Sequence, residues 1–204
     1  MNDIEKLIEL FKSFPGVGPR QAKRFVYYLL RKNSNYTSEL AELIPRVKSL
    51  TKRCDICQRF FISQYNQEVQ TSCKICSDHN RNTEKLLLIA HDNDLESIEK
   101  AGAYNGYYFV LGGYIPLLEE HPEKFIRITE LKNRLQKNDE EVGEIILGLS
   151  SNPDGQHTQQ FIHEYVQSNF PTITVTEFGK GLSTGSEIEY ADADTIKNAL
   201  ENRK

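Results

Sequence analysis

The four cysteines of this 204-residue chain fall in two pairs, Cys54-x2-Cys57 and Cys73-x2-Cys76, with 15 residues between them. Each CxxC turn presents two thiolates on one side of a tight knuckle, and two knuckles complete a tetrahedron suited to Zn²⁺. With sulfur in all four positions the site would be structural. Metal binding would then supply folding free energy to a segment with few apolar residues. Disulfides are a competing use of these thiols, but they need an oxidising compartment, and no signal peptide points to one. Redox chemistry at a CxxC is a third use, disfavoured by two pairs at ribbon spacing. His79 is near enough to compete as a ligand, although a fourth cysteine makes it a bystander.

A second set of residues is suited to gripping phosphate. Phe14-Pro15-Gly16-Val17-Gly18-Pro19 is a glycine hairpin, and it feeds a basic helix that runs to about Leu30. Gly16 and Gly18 are expected to take positive φ and to let another backbone approach. Pro19 suits the first helical turn. The helix start then offers free N–H groups and a positive dipole end, with Arg20, Lys23 and Arg24 one turn apart beside it. Such an array holds nucleic-acid phosphates without reading bases. A plain Gly/Pro loop with a solvated basic face is the simpler account. With the helix Ile4 to Phe11 in front, the pattern resembles the helix-hairpin-helix motif. That resemblance places DNA contacts at Gly16, Gly18, Arg20 and Arg24.

The formal net charge is −4, but it is unevenly spread. Residues 1–60 hold 12 Lys/Arg against 6 Asp/Glu, a net of +6, and residues 61–204 hold 13 against 23, a net of −10. A basic front end that meets DNA or RNA and an acidic body with another task follow from that split. No apolar run approaches the roughly 20 residues of a membrane span. Asp3, Glu5 and Lys6 interrupt the N-terminus where a signal peptide would be apolar. The expectation is a cytoplasmic, nucleoid-associated protein with no membrane partner.

The elements that position these groups can be read in order. A short helix after Asn33, capped by Asn35, Thr37 or Ser38, puts Leu40, Ala41, Leu43, Ile44, Val47 and Leu50 at helical spacing as the core of a small N-terminal unit. Arg46, Lys48, Lys52 and Arg53 add charge that either extends a DNA-facing surface or is simply solvated. From Lys85 the texture alternates: strands at Leu86–Ala90, Tyr107–Leu111, Glu144–Leu149 and Thr172–Glu177, with helices at Asp94–Ala101, around Ile128–Leu135 and at about His157–Val166. That alternation implies a parallel sheet covered on both faces. A short terminal helix spans Ile196 to Leu200. Loops at carboxyl ends of strands are where function sits in such folds. There His91-Asp92-Asn93-Asp94 and Ser150 to His157 could hold Mg²⁺ and phosphate through Asp92, Asp94 and Asp154, or those aspartates are helix N-caps.

The order of parts, with Val110-Leu111-Gly112-Gly113 and the stretch from Gly181 to Asp192, resembles the RecR family of bacterial recombination mediators over essentially the whole chain. The resemblance implies a multi-part α/β protein. Its parts are a helix-hairpin-helix region at 1–52, a four-cysteine zinc ribbon at 53–80, a Toprim-like parallel α/β domain at 81–178 and a C-terminal assembly segment at 179–204. It further implies a non-enzymatic mediator of DNA repair, assembled as a ring-shaped tetramer through both termini. Its partners would be double-stranded or gapped DNA and RecO- and RecF-type proteins, met in part through Asp94 and Asp154. The chain departs from the family where Ala90 replaces a glutamate at the end of the first strand, and where Asp154 and Gln156 replace a pair of glutamates. The link Tyr114 to Glu119 is short, and Lys180 replaces an arginine. These losses oppose the alternative, a Mg²⁺-dependent Toprim-type nuclease or primase-like enzyme, and bear on binding of a RecO-type partner.

Overall fold

The computed structural model describes residues 1–62, 71–119, 121–137, 142–182, 185 and 187–202. The chain divides into two compact units, Met1–Thr51 and Lys52–Lys204.

The first unit holds three helices, α1 (Asp3–Lys12), α2 (Pro19–Leu30) and α3 (Ser34–Leu50). A capping box starts α1: the Glu5 N–H donates to Asn2 Oδ1 at 2.9 Å, and the Asn2 N–H donates to Glu5 Oε2 at 2.8 Å. Phe11 meets Phe14 and Phe25 edge-on, with ring centroids 5.5 and 5.8 Å apart. These contacts fold α1 against α2 and bury Ala22 and Val26. The expected short third helix is instead 17 residues long, and its cap is Asn33, whose side chain accepts from the Tyr36 N–H at 3.0 Å. It runs through Pro45, which cannot donate the bond Ala41 would have received. Nor do its apolar residues form the expected core. None is buried, and Ile44 and Val47 stay 63% and 51% exposed. Periodicity gives a helix an apolar face, but a covering element has to be supplied by something else.

The second unit begins with a two-stranded sheet, β1 (Thr51–Arg53) with β2 (Phe60–Ile62), that brackets the first cysteine knuckle. A four-stranded parallel sheet follows, with β3 (Asn82–Ile89), β4 (Gly106–Val110), β5 (Glu144–Gly148) and β6 (Thr174–Glu177) in the order β4-β3-β5-β6. The crossovers are α4 (Asp92–Ala101), α5 (Ile128–Leu135) and α6 (Pro153–Asn169), and α7 (Ala193–Glu201) closes the chain. The expected alternation is thus present, and the last strand starts at Thr174 rather than Thr172.

Side chains alternate across the sheet as the pleat requires. Leu86, Leu88, Tyr107, Phe109, Ile145 and Leu147 face Leu131 of α5 and Ile162 and Val166 of α6. Leu87, Ile89, Tyr108 and Val110 face Leu95 of α4 together with all four cysteines. The knuckles therefore cover one face of the sheet and also meet its edge. The Val110 N–H of edge strand β4 donates to the Cys57 carbonyl at 2.8 Å. Arg134, 5% exposed, donates through Nη1 to the Tyr108 carbonyl at 2.8 Å and to the Ile56 carbonyl at 3.2 Å. Arg127 Nη1 bridges the Val110 and Gln58 carbonyls in the same way, at 3.0 Å each. Burial, with the nearby Arg53 charge, pulls the Arg127 guanidinium below the usual arginine range.

On the other side of the knuckles, Arg81 grips Glu99 of α4 with two bonds of 2.9 and 2.6 Å, and the Tyr108 hydroxyl donates to Glu99 at 2.6 Å. Burial pushes the Glu99 carboxyl up, but these donors outweigh it and hold the group below its ordinary value. Among the described residues no helix is long and apolar enough to cross a membrane.

Arg134→Met keeps the bulk of the stem and strands the carbonyls of Ile56 and Tyr108. Urea unfolding is expected to show a loss of about 2–4 kcal/mol. Lys132→Met, on the same helix, should cost little by comparison.

Candidate nucleic-acid interface and metal centre

The hairpin between α1 and α2 is shaped by one glycine rather than two. Gly16 has φ +74°, and the Val17 N–H closes the turn onto the Phe14 carbonyl at 3.1 Å. Gly18, expected to share that conformation, takes an ordinary extended φ of −81° as the N-cap of α2. A Cβ there would meet nothing within 4 Å. Its missing side chain therefore leaves open space before the helix. Pro19 occupies the first turn and no side chain caps the helix. The amides of the first turn thus lie beside that space, where a dipole end and free donors suit an anion.

The buried residues Ala22 and Val26 fix which side of α2 turns outward. Arg20, Lys23 and Arg24 fall on the other side, all exposed, and none makes an ion pair among the described residues. With Gln21, Phe25, Tyr27, Tyr28 and Arg31 they line a shallow groove of about 670 Å³. The helix has brought together the cations that spacing alone grouped. Arg46, Lys48, Lys52 and Arg53 are likewise exposed.

The four cysteine Sγ atoms lie within 4.8 Å of one another, and all four residues are buried. Cys57 Sγ is 3.6 Å from Cys73 Sγ, and the Cys73 N–H points at Cys54 Sγ at 3.3 Å. A tetrahedral metal with bonds of about 2.3 Å needs sulfur–sulfur edges of about 3.8 Å, so the cluster could hold a metal ion. Sulfurs this close cannot all ionise unaided. Hydrogen bonding from Cys57 draws the Cys54 thiol down, while Cys54 pushes Cys57 and Cys76 up. It is the one group of three or more Cys, His, Asp or Glu with metal-ligand proximity among the described residues.

The aspartates at the strand ends have other duties. The N-caps of α4 and α6 are His91 and Asn152, and Asp92, Asp94 and Asp154 lie inside the first turns. The three acids do not converge. Asp92 Oδ1 accepts the Phe60 N–H at 2.7 Å, tying β2 to α4. Asp94 Oδ2 accepts the His91 N–H at 2.9 Å, and Asp154 Oδ1 accepts the Leu117 N–H at 3.2 Å. Ala90, at the end of β3, is fully buried. His91 and His157 both meet the loop after β4, His91 against the Tyr114 ring at 5.6 Å and His157 Nδ1 at 3.4 Å from the Ile115 carbonyl.

Three chain segments match family models: residues 4–47 the RecR helix-hairpin-helix, residues 84–177 the Toprim domain, and residues 181–204 the RecR C-terminal region. Recombination protein RecR of Dehalococcoides mccartyi is 33% identical over 98% of this chain and 93% of its own length. Those of Bifidobacterium adolescentis and Anaplasma phagocytophilum are 34% and 33% identical over 98% of this chain, covering 95% and 98% of theirs. The chain belongs to the RecR family of recombination proteins. The cysteine knuckles lie between the first two matched segments, so in this RecR family member they link the helical hairpin to the Toprim sheet.

Sequence reasoning missed the residues that hold these parts in place. Arg127 and Arg134 carry one usable signal, since they are seven apart on the side of α5 that carries buried Leu131. Cations there are out of place unless carbonyls await them. Thr158, fully buried in α6, has no such signal; its hydroxyl takes the Ile115 N–H at 2.9 Å and fixes the loop after β4.

Proposed function

We propose that this chain is a DNA-binding recombination mediator of DNA repair that catalyses no reaction itself. The observation that carries the reading is the set of unpaired, outward cations Arg20, Lys23 and Arg24 beside the open hairpin at Gly16 and Gly18, in a family of recombination proteins. The ligand is double-stranded or gapped DNA, held by phosphate. Affinity is then independent of sequence and falls with salt. Asp92, Asp94 and Asp154 each accept a backbone N–H from a different segment, and Ala90 offers no base. A Mg²⁺-dependent nuclease or primase-like enzyme would need those acids in one cluster.

The metal is Zn²⁺, in keeping with four sulfurs and no open position, and its role is structural. Within the second unit we assign 53–80 as the ribbon, 81–178 as the Toprim-like domain and 179–204 as an assembly segment, with the first part ending near residue 52. Exposed apolar residues in the first unit, Ile44 and Val47 on α3, and near the C-terminus, Ile188 and Tyr190, support assembly of copies into a ring tetramer. RecO- and RecF-type proteins are the proposed partners. Asp154 remains exposed at the strand ends and Asp94 partly so, and these are the acids offered to them. The site of action is the cytoplasm, at the nucleoid.

Elemental analysis is expected to find one zinc per chain, and chelation to lower the melting temperature; a metal-free protein of unchanged melting temperature would refute the zinc assignment. Sedimentation equilibrium should give about four times the 23.5 kDa chain mass, and Ile44→Glu/Val47→Glu a smaller species. A monomeric wild type would end the ring proposal. Fluorescence anisotropy of a labelled gapped duplex across a salt series tests the central claim. Removing Arg20 and Arg24 together, as alanines, should weaken binding and flatten the log–log salt slope by about 2. Equal slopes for both proteins would place the phosphate grip elsewhere.

A further inference from the structure

The outward face of α2 carries more than phosphate grips. Tyr27 and Tyr28 also line the groove, next to Arg20, Lys23, Arg24 and Arg31 and with no carboxylate among the lining residues. They are 48% and 45% exposed, a large outlay of aromatic surface for a helix whose apolar side is already turned to α1. Tyr36 of α3 extends the array, its ring set edge-on to Tyr28 with centroids 6.3 Å apart. Lysines accompany each ring. Lys23 Nζ lies 6.0 Å from the Tyr27 centroid, and Lys32 Nζ lies 4.7 Å from that of Tyr28 and 5.5 Å from that of Tyr36.

Aromatic faces interleaved with cations fit one ligand class better than others. A duplex hides its base faces in the stack and shows a protein only phosphates and groove edges, so rings beside the phosphate grip gain nothing from it. An unpaired strand shows base faces, and each can stack on a ring while its flanking phosphates meet cations. We propose that this groove binds unpaired nucleotides, with bases stacking on Tyr27 and Tyr28 and phosphates held by Arg20, Arg24, Arg31 and Lys32. The inference rests on the DNA-binding reading above and names the part of a gapped substrate that this face takes: its single-stranded portion.

The test compares three labelled probes by anisotropy on the full-length protein: an oligo-dT strand, an abasic phosphodiester strand of the same length, and a blunt duplex. Wild type is expected to bind oligo-dT at least about tenfold more tightly than the abasic strand, as stacking of two bases requires. Tyr27→Leu/Tyr28→Leu should erase that difference. Tyr27→Phe/Tyr28→Phe should restore it, because the ring stacks without its hydroxyl. Arg20→Ala/Arg24→Ala should weaken all three probes together. If wild type binds the dT and abasic strands equally, or the leucine variant keeps the difference, stacking is overturned and the phosphate grip stands. If wild type binds none of the probes at low salt, the DNA-binding reading falls and this inference with it.

Discussion

A parallel sheet must have both faces covered, and α4 covers only part of the face that carries Leu87, Ile89, Tyr108 and Val110. The two cysteine knuckles cover the rest, and the Cys57 carbonyl also takes the N–H of Val110 at the sheet's edge. Geometry at the sulfurs therefore sets the geometry of β4, and β4 sets its neighbour β3. Arg127 and Arg134 make the dependence mutual, since each donates at once to a knuckle carbonyl and to a β4 carbonyl. Losing the tetrahedron would uncover a hydrophobic face and free a strand edge together. A metal at this site would belong to the core of the second unit, not to an appended finger.

The loops at the carboxyl ends of the strands depend on that frame and explain why their acids read so ambiguously. Asp92, Asp94 and Asp154 are positioned as catalytic carboxylates would be, yet each is spent on a backbone N–H. Acids in the first turn of a helix are favoured by the dipole and by free amides, whatever else they do. With Ala90 at the end of β3, the arrangement keeps the form of a Toprim sheet without a convergent acid cluster among the described residues. What these strand ends still offer is a partly acidic surface on a rigid scaffold.

The first unit follows another economy. Its helices bury two residues of α2 and leave much of α3 uncovered, so the hairpin holds its shape chiefly through the phenylalanines and the turn at Gly16. Basic residues concentrate on the outward face of α2 although the whole chain carries a net charge of −4. Local field, not total charge, governs attraction to a phosphate chain.

Motif spacing alone picked out the four-cysteine cluster, the basic face of α2 and the strand–helix alternation, because each is a local pattern with a fixed period or offset. It also carried the family resemblance, since order along the chain survives without knowledge of contacts. Tertiary structure decided what local pattern could not. It gave positive φ to Gly16 and not Gly18, because only one residue of that turn has to reverse the chain. It left the apolar stripe of α3 without a single fully buried residue, a matter of packing that periodicity does not fix. Asp92 and Asp154 were tied to separate distant segments, through the N–H groups of Phe60 and Leu117. Arg127 and Arg134 were recruited as staples because the knuckle carbonyls they satisfy, 69 and 78 positions away, lie beside those of β4. Long-range partners of this kind leave almost no trace in sequence, since any element of suitable polarity could have met them.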